Sequence, residues 1–471
     1  MASVLPSNLS FFMSRLMGVS SSHFKINPQT SGDVTANRLI RFELPSNTLV
    51  NFRSLRMLFN ANASGANASL PNDISSLVER VSVYIGGVLV ANGFNGYNTL
   101  VHTKAALQGY KCGALGHPEM VREKSYHTGA DTYADPSPEA YTDDNGLSFF
   151  CIDNWEGFLG SIEPSVLDLG MVSTVVIEIA LADATVVTTS VSRVLPTLNA
   201  STTVTGSAGF DTINGTTTSG FTLSNVSLQV EVMSLATNVL DTIVEQRISQ
   251  VGYLSVPFKN YFSFSNTHTD STRFNVNSSS WDRLWIAYRP TTYANAGAPV
   301  RIKGYKTAGG FTSATSGGTV NQDVGKPEYD IGGTLNTNAE KYKPNYFNFR
   351  EIKATAATRS TFQLSINSAS IPSYPMTAPE TLAMSMNSLD YYDKNHKITL
   401  HQYKMNYFVQ VWRFCLPDSD YSRLASGLDC RGVSSSCALN TVGVSSCNAT
   451  MFAECTSELR IGAGRQIEVI V

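Results

Sequence analysis

Arg41-Phe42-Glu43-Leu44 leads into Phe52-Arg53-Ser54-Leu55-Arg56-Met57-Leu58-Phe59. The same pattern returns as Arg273-Phe274-Asn275-Val276, leading into Trp281-Asp282-Arg283-Leu284-Trp285-Ile286-Ala287-Tyr288. The echo extends outward from there. Val81, Val83 and Ile85 alternate with polar residues ahead of a helix expected near 98–108, and Phe362, Leu364 and Ile366 do so ahead of one near 378–391. Trp155 closes one strand and Trp412 another, and Gln229-Val230-Glu231-Val232 is matched by Gln466-Ile467-Glu468-Val469. Solenoid units run to roughly 20–50 residues. A unit this much longer is a duplicated domain.

The offsets between matched positions are 229 at Leu55/Leu284, 281 at Val83/Leu364, 257 at Trp155/Trp412 and 237 at Val232/Val469. The second copy therefore gains about fifty residues before its helix, at Thr291 to Asn345, and loses about twenty-five after it, where the first copy has Lys111 to Gly146. Frames repeat while loops diverge, as expected of a scaffold decorated differently in each copy.

At 471 residues the length prior is about three domains, but all-β domains often reach roughly 200–250 residues, so two fits the repeat better. Charged residues make up 15%, below the roughly 25% of ordinary soluble proteins. The polar balance is Ser, Thr and Asn, which suit turns and β surfaces more than helix interiors. With a net charge of −3, no general attraction to nucleic acid is expected. Arg15, Lys25, Arg38, Arg41, Arg53 and Arg56 make residues 1–60 locally basic, which reads as a solvated face with core-edge arginines before it reads as a nucleic-acid arm. Ser10 to Met17 is too short, and too interrupted by Arg15, for a secretory leader, and no run approaches the ~18 apolar residues of a membrane span. The expectation is a chain made and folded in the cytosol, which discounts the sequons at Asn62, Asn67, Asn199 and Asn448.

Seven cysteines, Cys112, Cys151, Cys415, Cys430, Cys437, Cys447 and Cys455, lack the paired spacing of metal sites. Buried free thiols are the leading reading, with a late disulfide and a metal site as alternatives.

Residues 1–36 read as an extended N-terminal arm, 37–237 as a first β domain and 238–471 as a second, with a long surface loop at 291–345. Gly86-Gly87 between alternating strands marks a two-residue hairpin. The first helix has Asn98 as candidate cap and Gly109 as its stop. The second has a capping box at Thr377-Ala378-Pro379-Glu380, then Leu382, Met386 and Leu389 on one face. Both are expected to cap the end of a sandwich. Thr185 to Gly220 reads as a long loop or loose hairpin, and Asn238 to Arg247 as a short linker helix. Many short strands with one helix per copy give the fold class: all-β, two tandem jelly-roll β-sandwiches, each with a short cap helix.

No nucleotide loop, zinc-protease, nucleophile-elbow or dinucleotide motif occurs. His396 and His401 are a weak metal pair, and Asp143-Asp144 with Glu156 a weak glycosidase-like carboxylate set. Tyr391-Tyr392 and Trp281/Trp285 suit a sugar-stacking platform, but core and interface packing is the simpler reading. No catalytic, cofactor-binding or metal-ligating residue is assigned, and no enzyme activity is expected.

Glu79-Arg80-Val81-Ser82-Val83-Tyr84-Ile85-Gly86-Gly87 resembles the strand-and-glycine hairpin of major capsid proteins of large eukaryotic DNA viruses. Phe149-Phe150-Cys151-Ile152-Asp153-Asn154-Trp155-Glu156-Gly157-Phe158-Leu159, with Pro164, Leu167, Leu169 and Gly170 after it, is similar to the strand-and-tryptophan segment of capsid proteins of polinton-like viruses and virophages. The clear motifs cover residues 38–182. The resemblance is to the double jelly-roll major capsid proteins as a lineage.

It implies a homotrimer whose six jelly rolls give a pseudo-hexagonal capsomer tiling an icosahedral DNA-virus shell. The implied partners are neighbouring capsomers, a penton protein at the vertices and minor or cement proteins, with outer loops free to meet a host receptor. No sequence-specific nucleic-acid binding is implied. The implied location is the capsid of the virion. The main alternative is a carbohydrate-binding or adhesive β-sandwich surface protein; a two-jelly-roll glycan hydrolase is the other.

Overall fold

Leu39, Arg41 and Glu43 face water while Ile40 and Phe42 are buried, the period of two that a half-buried strand demands. Ser271–Asn275 shows the same alternation, and Thr361–Ile366 buries Phe362, Leu364 and Ile366 while its polar residues stay partly accessible. In this computed structural model the described residues are 19–64 without 31, with side chains placed to 62, and 70–109 without 72 and 92–94. They continue through 148–187 without 173, 220–235, 246–290 without 247, and 347–389, 398–416 and 427–471 with short gaps. Four short strands complete them, at 197–198, 204–205, 305–307 and 320–322.

Eight strands build the first copy: β1 (Val19–Ile26), β2 (Leu39–Glu43), β3 (Leu49–Ser64), β4 (Val78–Ile85), β5 (Val88–Ala91), β6 (Ser148–Ile152), β7 (Val175–Leu181) and β8 (Gly220–Leu235). Eight build the second: β9 (Tyr253–His268), β10 (Ser271–Asn275), β11 (Trp281–Pro290), β12 (Thr361–Ile366), β13 (Ala369–Thr377), β14 (Val409–Arg413), β15 (Ser436–Val442) and β16 (Cys447–Gly462). The first copy makes antiparallel sheets in the orders β1-β8-β3-β6 and β2-β7-β4-β5; the second repeats them as β9-β16-β11-β14 and β10-β15-β12-β13. Every strand matches the one eight places later. Two facing sheets with these crossovers make a jelly roll, and the chain contains two; Val34–Thr35 on β8, Val166–Asp168 on β3 and Ile467–Ile470 on β16 add short strands to them.

Phe42, Phe52, Phe59, Phe150 and Ile177 fill the first core; Trp281, Trp285, Leu284, Phe362, Phe408 and Trp412 fill the second. The β4–β5 hairpin turns at Gly86 and Gly87, with φ of 60° and 80°, the left-handed pair that a primed two-residue turn requires. Helix α1 (Tyr97–Gln108) follows β5, the single turn α2 (Phe158–Ser161) follows β6, and α3 (Ala378–Ser388) follows β13. The capping box closes α3 as expected: the Thr377 N–H and hydroxyl both donate to Glu380 Oε2 at 2.7 Å. Gly109 ends α1, its N–H donating to the Ala105 carbonyl.

Several expectations need correction. Gly96, not Asn98, caps α1, because the chain enters the helix through a left-handed residue (φ 83°). Asn98 lies inside, its Oδ1 accepting from Thr99 N and its amide donating to the Ser76 carbonyl. Nor does α1 only cap the end of its sandwich: it is buried on nearly every side, packed on β4 and also on β11 and β14 of the other copy. On α3 the buried stripe is Ala378, Thr381, Ser385 and Ser388, small residues that let the helix approach β14, while Leu382 and Met386 are half-buried flanks.

Residues 19–26 of the expected arm are strand β1, paired along its length with β8, and Val34–Thr35 also pairs with β8. The terminal echo does not mark equivalent strands: Val232 lies in β8, whose counterpart is β16, whereas Ile467–Ile470 is an additional strand on the edge of β16. Asn238 to Arg247 falls almost wholly outside the described residues, as do residues 1–18. Most of Thr185 to Gly220 and of 291–345 does too, each showing one short hairpin within it.

Trp155 and Trp412 are both buried beside the matched residues Leu55 and Leu284, but one position apart. Trp412 pairs with Leu284 inside β14, while Trp155 lies beyond β6 and donates its indole N–H to the Leu55 carbonyl at 3.0 Å. Trp155→Ala and Trp412→Ala are each expected to cost about 3–5 kcal/mol in chemical denaturation. The Trp412 indole N–H has no partner among the described residues, so Trp155→Phe should cost about 1 kcal/mol more than Trp412→Phe.

Candidate assembly site at the seam between the jelly rolls

Charged side chains inside apolar strands need partners, because removing an ion from water costs several kcal/mol. Glu454 sits in the middle of β16, within the run Met451-Phe452-Ala453-Glu454-Cys455. Its register opposite Arg283 on β11 and Tyr261 on β9 brings three elements together. Arg283 donates to Oε1 at 3.3 Å and the Trp285 indole to Oε2 at 2.8 Å.

The first copy completes the cluster. α1 carries Lys104, and the chain leaving β6 carries Glu156; Nζ and Oε2 are 2.5 Å apart. Lys104 also donates to the Tyr261 hydroxyl at 3.2 Å, crossing from one jelly roll to the other. Glu156 N donates to the Tyr97 hydroxyl at 2.9 Å, which fixes the loop against α1.

The electrostatics favour the charged forms. Burial alone would raise the Glu454 pKa, but Arg283, Lys104, Lys259 and the Trp285 N–H hold it down to about 2. Burial works against the Lys104 charge too, yet Glu156, Tyr261 and Glu454 keep its pKa well above the ordinary lysine value. A second ionic group lies beside the first. Lys259 Nζ is 2.7 Å from Asp282 Oδ2 and 2.9 Å from the Thr456 hydroxyl, and that hydroxyl donates to Asp282 at 2.5 Å.

Around the charges the seam is closed by backbone and rings. The segment 157–163 runs along the edge of β9: Glu163 N donates to the Pro257 carbonyl at 3.1 Å and Lys259 N to Ser161 Oγ at 2.7 Å. Phe158 lies edge-on to Phe258 of the second copy at 5.0 Å and to Phe52 of the first at 5.7 Å. His102 stacks flat on Phe347, 3.9 Å between centroids, and its Nε2 is 2.6 Å from Ser76 Oγ. Burial lowers the His102 pKa to about 4.

Of the side chains weighed for chemistry, Glu156 is the ion-pair partner of Lys104, and Trp281 and Trp285 are fully buried. Asp143, Asp144, Tyr391, Tyr392, His396 and His401 lie outside the described residues, as does Cys112. None of the six described cysteines is in a disulfide; burial pushes Cys437, Cys447 and Cys455 up to about 12, far from a reactive thiolate. Among the described residues no cluster of three His, Cys, Asp or Glu forms, and no helix is long and apolar enough to cross a membrane. Lys104, Tyr261 and Glu454 were not singled out in sequence, although a lone carboxylate inside an apolar strand was a signal.

Lys104→Met leaves the largely enclosed Glu156 without its cation and removes one of three cations that act on Glu454, and is expected to cost about 3–5 kcal/mol, partly recovered in Lys104→Met/Glu156→Gln. Acid should weaken the fold in two windows. His102, depressed from 6.5, stabilises fully above pH 6.5, and that contribution is lost as pH falls towards about 4 because the unfolded chain takes the proton first. Glu454, depressed from 4.5, loses its contribution between pH 4.5 and about 2. In denaturation at stepped pH, His102→Gln should flatten the upper window and leave the lower.

No protein-family model and no curated protein matches the sequence. Solved structures do match along nearly the whole chain. A chain of the PBCV-1 virus capsid superposes with a TM-score of 0.53 at 12% identity, covering 97% of this chain and 98% of that one. The PBCV-1 VP54 structure fitted into a reconstruction of the virophage Sputnik gives 0.53 at 13% identity over the same shares. The Faustovirus major capsid protein gives 0.50 at 10% identity, covering 96% and 94%. With the strand orders above, the conclusion is one of architecture: this chain has the double jelly-roll fold found in viral major capsid proteins.

Proposed function

We propose that this chain is the major capsid protein of an icosahedral DNA virus, a structural subunit rather than an enzyme. Three copies form a pseudo-hexagonal capsomer that tiles the shell. One observation carries the reading. Two jelly rolls with identical strand orders occupy a single chain and are joined by a buried seam, in an architecture shared end to end with capsid chains.

A subunit with two near-equivalent jelly rolls supplies six when three chains close a ring, and a closing heterologous contact gives a ring of fixed number. The partners are then other copies, neighbouring capsomers, a penton protein and minor or cement proteins, and the location is the virion shell. The adhesive or carbohydrate-binding alternative gains no support from the tryptophans: Trp281 and Trp285 have no accessible ring face to offer a sugar.

The purified full-length chain should sediment as a trimer at micromolar concentration and show hexagonal outlines in negative-stain electron microscopy, with shells or facets when concentrated. A monodisperse monomer that resists assembly under crowding and high salt would sink the proposal.

A further inference from the structure

Strand β1 is exposed on both faces, while its counterpart β9 is buried where the first jelly roll covers it. The register makes the match residue by residue. Met57 and Ile286 hold the same place in the repeated strand; Met57 pairs with Leu228 and Ile286 with Met451. Three residues on, Glu231 matches Glu454. His23 pairs with Glu231 as Tyr261 pairs with Glu454. Ser20, Ser22 and His23 therefore stand where Phe258, Asn260 and Tyr261 stand, and the first three are exposed while the last three are buried. Phe24 is 45% exposed on the same strand.

The covering element has a counterpart too. Met57 pairs with Ile152 and Ile286 with Gln410, so, counted on past the strand ends, Leu416 holds the sequence place of Phe158. Phe158 is 2% exposed, wedged between Phe52 and Phe258; Leu416 is 67% exposed. Each chain thus holds one closed seam, its first-copy wedge on its own β9, and one open half on each side: a wedge without a strand and a strand without a wedge.

We propose that the β1 edge, residues 20–24, is the surface that receives Leu416 and the neighbouring end of α3 from a second copy of this chain, repeating the intrachain seam between subunits. This rests on the capsomer reading and names its contact. An uncovered strand edge is a template for association, and repeating one contact around a ring uses every open half once. The two contacts are not identical. Counted from the helix caps Gly96 and Thr377, the place of Lys104 on α1 falls to Ser385 on α3, and Ser385 Oγ already accepts from Val411 N of its own copy. The intersubunit seam therefore lacks the buried lysine and is the weaker, reversible contact.

The test is sedimentation of the full-length chain and of Leu416→Asp and Ser22→Arg, both at exposed positions, with unchanged thermal unfolding as the check on folding. Each variant should raise the concentration for half-dissociation of the trimer by about tenfold or more. Ser20→Cys/Leu416→Cys should oxidise to a covalent species of three chains that neither single variant forms. If the unmodified chain is a trimer, but both variants stay trimeric and the cysteine pair does not cross-link, the surface is wrong and the capsomer reading stands. If the unmodified chain never leaves the monomer, the capsomer reading itself fails.

Discussion

The geometry depends on charges that have nowhere else to go. Glu454 and Lys104 are carried by different jelly rolls, both are largely out of water, and they lie in one cluster: Lys104 donates to Tyr261, the residue opposite Glu454 on the neighbouring strand. Each ion has a partner on its own jelly roll, Glu156 for Lys104 and Arg283 for Glu454. Across the seam Lys104 donates to the Tyr261 hydroxyl and its charge helps to keep Glu454 ionised, so parting the two copies forfeits that attraction and leaves a buried hydroxyl without its donor. Sliding or rotating one jelly roll on the other would do that. The seam therefore acts as a latch on orientation, which is what the proposed role in a regular shell would require a subunit to hold constant. Phe158 and Phe258 supply the apolar contact beside it, and Glu163 and Lys259 the backbone bonds that set the height of one jelly roll against the other.

Duplication explains why the latch sits on one side only. The two copies share strand order, hairpin and helix positions, yet have diverged where they meet. α1 is enclosed and carries a lysine; α3 is open on one flank and carries serine at the matching place. β9 has Phe258 and Tyr261 facing the seam; β1 has Ser20 and His23. A contact made within a chain forms once, during folding, and can be permanent. In the proposed capsomer a contact made between chains must allow correction during assembly, and a more polar, less ionic version suits that.

Most of the frame was legible in the sequence because it rests on period and punctuation. The alternation at Leu39–Glu43 and Thr361–Ile366, Gly86-Gly87 and the capping box at Thr377 each have one physical reading, and the structure has all of them. Errors arose where tertiary contact overrode local pattern. α1 is weakly amphipathic because both its faces are covered, a fact held by residues more than a hundred positions away. The edge strand β1 is rich in serine and exposed, so nothing in its own composition separates it from a loose arm. Gln466 to Val469 resembles Gln229 to Val232 because edge strands share a polar-apolar alternation, not because they share a place. The seam was the least legible part. Glu454 stands out as a lone carboxylate in an apolar strand, but Lys104, whose charge helps to keep it ionised, lies 350 residues earlier, and only the packed sheets bring them together.

A reconstruction of the assembled particle at side-chain resolution measures the central claim directly, through the relation between the two jelly rolls inside the shell. The account predicts that Lys104, Glu156, Tyr261 and Glu454 stay in one closed cluster in every independent subunit, with successive jelly rolls around the capsomer related by about 60°. Subunits with that cluster open, or with the two jelly rolls at differing angles from one capsomer to the next, would contradict it.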